Sequence, residues 1–332
     1  MTMWGNMPLA LITDCEGPTL LDAEIQFFRE SQPFGFILFQ RHCENPEQVR
    51  NLTAQLQACV DHDAPIFIDQ EGGRVARLKP PHWEEYPAAA NFGAADERAC
   101  YLNARLMADA LRDVGITADC APLADIPAQG SHDIIGDRAF GCDAQTVIRY
   151  ARAQASGLMD GGVLPVLKHI PGHGRALADS HLELPRVDAP QRVLEQTDFE
   201  PFKALRDLTF AMTAHIVYEC LDAERPATLS PTIIRYVREI IGYEGLLMSD
   251  DISMKALSGS LDDIARDTLA AGCDLVLHCN GSLKQRQLAA RGCADLPANR
   301  YALYERAKAA IAQPEAIERS ALRAERDALL VA

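Results

Sequence analysis

The sequence predicts an α/β chain folded as a single (β/α)₈ barrel of the TIM type, with residues 1–332 forming one catalytic domain. Three observations predict it. Eight short apolar, β-branched runs recur along the chain, separated by longer segments of helical period. That alternation implies parallel strands joined by right-handed crossovers. No G-x-G-x-x-G follows the first run, which with the count of eight favours closure over an open doubly wound sheet.

Strands are expected over residues 9–14, 34–40, 65–70, 118–124, 164–169, 210–216, 245–250 and 274–279. Helical segments among them cover 46–60, 96–114, 144–161, 231–241 and 261–271. Gly115 and Gly272 stand where two of these end, because glycine takes the left-handed position past a helix C-terminus. No low-complexity linker and no fixed-period repeat divides the chain. Residues 298–332, rich in Ala, Glu and Arg, read as one or two helices over the barrel exterior.

Hydrophobic residues make up 48% and charged residues 24%, an ordinary globular balance. The formal net charge of −15 argues against nucleic acid or an anionic membrane as partner, since both need a basic footprint. It leaves room for a local basic pocket. Residues 1–17 show no basic leader and no cleavage site, and no stretch approaches the roughly 18 apolar residues of a membrane span. Ten cysteines are scattered with no C-x-x-C pair, which reads as reduced, buried thiols and hence a cytoplasmic protein. The acidic surface, with no evident interface stripe, points to a monomer.

In such barrels the active site forms where the strands end. The third strand runs into Asp69-Gln70-Glu71-Gly72-Gly73-Arg74-Val75-Ala76-Arg77, and the fourth is followed by Gly136-Asp137-Arg138. The fifth ends in Lys168-His169-Ile170-Pro171-Gly172-His173-Gly174, with Asp179-Ser180-His181 shortly after. The sixth carries His215 and the seventh ends in Ser249-Asp250-Asp251. Each has a plainer reading alone. Asp250 or Asp251 could cap the next helix, Lys168 and His169 could form a structural pair, and Gly72-Gly73 could be only a tight turn. Five such clusters on one barrel mouth favour a functional site.

These residues carry a resemblance. Residues 168–174 with Asp179-Ser180-His181 are similar to the K-H-F-P-G-H-G…D-S-H signature of family 3 glycoside hydrolases, in their bacterial β-N-acetylglucosaminidase branch, the type that serves peptidoglycan recycling. Residues 69–77 resemble that branch's D-Q-E-G-G-R-V-x-R. Residues 212–216 with 226–230 resemble M-T-A-H-I…P-A-T-L-S, and residues 248–254 resemble F-S-D-D-L-S-M. The likeness runs from about residue 9 to residue 280 in the expected order. Ile170 replaces the usual phenylalanine and His42 a common asparagine, and neither is expected to touch the chemistry.

The resemblance implies a retaining glycosidase that removes terminal N-acetylglucosamine from GlcNAc-anhydroMurNAc muropeptides. It makes Asp250 the nucleophile, and choosing Asp250 over Asp251 rests on that pattern, since strand alternation does not decide it. It makes His181, paired with Asp179, the acid/base in place of the usual glutamate. The chemistry is sound, because an adjacent carboxylate raises imidazole basicity and fixes its tautomer. Asp69, Arg77, Arg138, Lys168 and His169 carry over as sugar-binding residues, with Lys168 and Arg138 also expected to keep Asp250 ionised. His173 and His215 are expected to support the site rather than act in it. No metal or cofactor is implied. A metal-dependent barrel hydrolase remains the alternative, since His169, His173, Asp179 and His181 are all possible ligands, but their spacing matches no common zinc pattern. A non-catalytic sugar-binding homologue is a third reading, opposed by the intact Asp179, His181 and Asp250.

Overall fold

The computed structural model describes residues 7–128, 130, 135–176, 184–311 and 313–331. Eight parallel strands close into a barrel: β1 (Leu9–Thr13), β2 (Pro33–Leu38), β3 (Ile66–Ile68), β4 (Ala118–Asp119), β5 (Leu164–Ile170), β7 (Phe210–Thr213), β9 (Leu246–Asp251) and β10 (Leu275–His278). Each falls within or beside an expected run. A small pair, β6 (Arg186–Val187) with β8 (Val217–Tyr218), lies outside the barrel and was not foreseen, because two residues show no period.

The helices follow their local chemistry. Helix α2 (Pro46–Gln57) starts with Asn45 accepting from the Gln48 amide and Pro46 at its first position. Asp96 caps α3 (Glu97–Arg112), and Asp143 caps α4 (Ala144–Asp160). Helix α7 (Pro231–Tyr236) is shorter than expected, because its continuation widens into a π turn over Val237–Ile241 that ends at Gly242. Helix α8 (Leu261–Ala271) stops at Gly272, whose φ of 112° needs glycine. The C-terminal stretch forms two helices, α10 (Ala298–Ala310) and α11 (Arg319–Leu330). Among the described residues no helix is long and apolar enough to cross a membrane.

One buried cluster draws on all eight barrel strands, including Ala10, Phe34, Phe67, Ala118, Val166, Phe210, Met248 and Leu277, and so fills the interior. Outward residues such as Leu11 and Val276 pack instead under the helices, against Ile264 and Ala289. Tyr304 of α10 closes the N-terminal end, its ring edge-on to Phe34 at 5.2 Å.

Two irregularities shape the other end. Along β5, Lys168 pairs with Met212 and Ile170 with Thr213, so β5 holds one extra residue. Along β9, Met248 pairs with Leu275 and Asp251 with Leu277, again one extra. Each is a bulge that breaks simple alternation where the strand meets the mouth.

Candidate active site

The C-terminal mouth holds a cavity of about 300 Å³, near the lower end of the range for small-ligand sites. It is lined by Asp69, Arg74, Arg77, Arg138, Lys168, His169, His173, Asp250, Asp251 and Asn280, with Met212, Met254 and Leu277 as apolar wall. The bulges explain how consecutive residues reach it. Lys168 and His169 both line the cavity, and so do Asp250 and Asp251, which regular strands would divide between two faces.

The loop after β3 is drawn back on itself. Gln70 accepts from the Arg77 and Leu78 amides at 2.8 and 3.0 Å, and its side chain donates to Leu78 O at 3.1 Å. Gly72 has φ 101°, and a Cβ there would lie 2.2 Å from Pro87 O, so the turn requires glycine. The turn is thus the tight one that composition suggested, and its effect is to return Arg77 to Asp69.

A chain of alternating charges results. Arg77 donates to Asp69 Oδ2 at 2.9 Å, and Lys168 Nζ donates to Asp69 Oδ1 at 3.0 Å. Lys168 also reaches Glu71 Oε1 at 2.6 Å, and Arg138 forks on Glu71 at 2.7 and 2.8 Å. Burial would raise both carboxyls. Lys168 and Arg77 instead hold Asp69 well below the usual range, and Arg138 and Lys168 hold Glu71 down at about 2. Asp119, on β4, accepts from the Gln70 amide at 2.9 Å. Burial pushes its carboxyl well above the ordinary value, aided by the charges of Asp69 and Glu71.

Asp250 and Asp251 differ in what their oxygens do. Asp251 accepts from the Ser253 amide (2.9 Å), the Ser253 hydroxyl (2.8 Å) and the Cys279 amide (3.2 Å), so both its oxygens anchor local turns. Asp250 accepts from the Asp251 amide at 2.8 Å and is only partly buried, its carboxylate opening on the cavity. Burial would raise the Asp250 carboxyl, but His215, His169, the Asp251 amide and Lys168 lower it. His215 is itself pushed towards the neutral form by burial, which leaves His169, the amide and Lys168. Arg138, expected to share this task, forks on Glu71 and is not among the groups that chiefly lower Asp250.

His169 Nδ1 lies 2.7 Å from Asp125 Oδ2, and the His173 amide donates to Asp125 Oδ1 at 2.6 Å. The His173 ring stands edge-on to His169 at 5.4 Å and lines the cavity, closer to the chemistry than its expected supporting place. Burial, with His169 beside it, drops His173 to about 4. His215 is fully buried between the Thr228 hydroxyl (2.7 Å) and Asp251 O (3.0 Å), and does not line the cavity. His42 is also structural. Its Nδ1 accepts from the Phe39 amide at 2.8 Å, and its Nε2 lies 2.8 Å from Cys15 O.

Six of the residues expected in the site therefore meet at one cavity: Asp69, Arg77, Arg138, Lys168, His169 and Asp250. Asp179 and His181 lie outside the described residues. Sequence reading missed Glu71, Asp125 and Asn280. Glu71 stood in a quoted motif, but the two cations it joins lie far away in the sequence and gave no local signal. Asp125 sat past the end of an apolar strand with no local mark. Asn280 joins the mouth through the Asp14 carboxylate, which accepts from its amide at 2.8 Å and is bound beneath by buried Arg286. Among the described residues no group of three His, Cys, Asp or Glu is placed to hold a metal ion.

Residues 23–308 match the glycosyl hydrolase family 3 N-terminal domain. A β-hexosaminidase of Alkalilimnicola ehrlichii is 38% identical over 282 residues, 81% of this chain and 80% of that protein. The structure of NagZ from Neisseria gonorrhoeae in complex with N-trifluoroacetyl-D-glucosamine superposes with a TM-score of 0.85 at 30% identity, covering 98% of this chain and 99% of that one. A family 3 β-N-acetylglucosaminidase from a Paenibacillus species gives 0.82 at 29% identity over 97% of this chain, which spans 62% of that longer protein. With the barrel, the charged mouth and these likenesses together, the chain belongs to glycosyl hydrolase family 3, in its NagZ-type β-hexosaminidase branch.

Proposed function

We propose that the protein is a retaining β-N-acetylglucosaminidase that removes terminal GlcNAc from peptidoglycan-derived GlcNAc-anhydroMurNAc muropeptides. The observation that carries this reading is the Asp250 carboxylate, anchored through one oxygen by the Asp251 amide and open to a cavity walled by eight other charged or imidazole side chains. One sugar ring fits a space of about 300 Å³. Asp69, Arg77, Arg138, Lys168 and His169 are proposed to bind its hydroxyl and acetamido groups, because charge-assisted hydrogen bonds are short and directional. Their pairing with one another, with Glu71 and with Asp125 fixes them before the sugar arrives, so little ordering is left for binding to impose.

In the proposed reaction Asp250 attacks the anomeric carbon as the glycosidic bond breaks, forming a glycosyl ester. His181, held by Asp179, gives a proton to the departing sugar oxygen and then takes one from the water that cleaves the ester. A nucleophilic carboxylate must stay ionised, and the lowered Asp250 suits that role. Residues of the mouth need no metal for this scheme. The protein is further proposed to act in the cytoplasm as a monomer. Two measurements test the chemistry. Proton NMR of the first-formed sugar should show the β-anomer, and trapping with a slow-turnover fluorinated N-acetylglucosaminyl fluoride should label Asp250. First release of the α-anomer, or a label elsewhere, would sink the assignment.

A further inference from the structure

Asp125 has no part in the proposed chemistry, yet it is fully buried beside the cavity and carries three hydrogen bonds. Its Oδ1 accepts from the His173 and His169 amides at 2.6 and 3.2 Å, and its Oδ2 lies 2.7 Å from His169 Nδ1. Backbone amides can only donate, so Oδ1 is committed as an acceptor. Burial would raise this carboxyl, but His169 and the His173 amide hold it below its ordinary value, so it has no proton to offer. The hydrogen between Asp125 and His169 must therefore sit on the ring. A neutral imidazole protonated at Nδ1 has its lone pair at Nε2, and Nε2 is the one polar ring atom left for the cavity that His169 lines.

We propose that Asp125 is a positioning residue that fixes His169 in the Nδ1–H form, so that the cavity meets an acceptor at Nε2 and a sugar hydroxyl donates to it. The tautomer stands on Asp125 alone, while the hydroxyl contact rests on the reading of the cavity as the sugar site. His42 shows that neighbours set tautomers in this fold. There the Phe39 amide donates to Nδ1, which forces the opposite form, with Nε2–H directed at Cys15 O.

The proposal explains why an amide of the same shape would not serve. In Asp125→Asn the two backbone amides claim the side-chain oxygen, which turns the NH₂ group towards His169 Nδ1. The ring must then accept there, and its proton moves to Nε2. A near-isosteric change thus inverts the polarity of an untouched atom at the cavity wall.

The test is a two-bond proton–nitrogen correlation spectrum of the full chain with the ring neutral, with the His169 signals assigned by their loss in His169→Gln. The wild type should show Nδ1 protonated and Nε2 bare, and Asp125→Asn should show the reverse. On an aryl β-N-acetylglucosaminide, Asp125→Asn should raise KM by about tenfold to a hundredfold, with a smaller change in kcat. The double variant Asp125→Asn/His169→Gln should be no worse than His169→Gln alone, whereas a merely structural role would make the two losses add. A wild-type ring protonated at Nε2 overturns the proposal, and that spectrum needs no variant to fold. Reversed tautomers with an unmoved KM would overturn the hydroxyl contact and the sugar-site reading of His169, leaving the tautomer assignment in place.

Discussion

At the N-terminal end of the barrel the rings of Phe34, Phe67, Phe210 and Tyr304 fill the interior, with centroids 5.2 to 6.3 Å apart. At the C-terminal end β3, β5 and β9 finish in Asp69, Lys168, His169 and Asp250 around an open cavity. The lower end also has charges beside a larger groove of about 770 Å³, lined by Arg238, Asp274 and Arg300. There Asp274 joins both arginines, at 2.7 and 2.6 Å, and Arg238 spends a further nitrogen on the Tyr243 and Gly245 carbonyls. Volume therefore does not mark the site. The upper end differs because, among the described residues, Asp250 keeps an oxygen that no hydrogen bond consumes and His169 keeps a ring nitrogen, both at the cavity wall. Stability is concentrated where polar groups are absent or cancelled, and reactivity where they are ordered but not exhausted.

The largest expected effect tests the upper end. Asp250→Ala should abolish turnover whatever the leaving group, because it removes the proposed nucleophile. Azide added to this variant should enter from the vacated face and give the α-azide. A variant that kept measurable activity without azide would remove the nucleophile from this position.

Next in size, His181→Ala should cost about 10² to 10⁴ on the natural disaccharide and little on a nitrophenyl glycoside, whose leaving group departs without a proton. Azide should then give the β-azide. Equal losses on both substrates would place the proton donor elsewhere.

The lower end is tested by Phe210→Ala, which should cost about 3–5 kcal/mol in urea unfolding. KM of the remaining folded enzyme should stay within about twofold, since the ring does not line the cavity. A large rise in KM at unchanged stability would erase the distinction between the two ends.

Acid should blur the same distinction. Glu71, lowered to about 2, binds fewer protons folded than unfolded, so its stabilisation is complete above its ordinary range near 4.5 and fades as pH falls towards about 2. His173, lowered to about 4, is neutral when folded, and its share is lost as pH falls from 6.5 towards 4. Urea unfolding across this range should show stability declining in both windows, and Glu71→Gln should flatten the lower one. The smallest effect expected is that of chelation: exhaustive EDTA should leave activity within about twofold, and loss restored by zinc would revive a metallohydrolase reading.

Much of this was legible in the sequence because it is written in local patterns. Eight apolar runs marked the eight barrel strands, and Gly272 marked a helix end, because those signals depend only on neighbours in the chain. The two-residue strands β6 and β8 were invisible, since pairing 31 residues apart, as for Arg186 with Val217, leaves no period to read.

At the mouth, the sequence by itself determined which residue types would gather there, through long motifs that end strands. Only the tertiary structure decided how their charges are shared. Lys168 and Glu71 lie 97 positions apart, and Asp125 and His169 are 44 apart. Whether a cation serves Asp250 or another carboxylate depends on distances of 2.6 to 3.0 Å that no spacing encodes. Asp250 and Asp251 make the point within one dipeptide. Equal in the sequence, they part because a bulge in β9 brings both to the cavity, where, among the described residues, Ser253 and Cys279 consume the oxygens of one and the other accepts only from the Asp251 amide.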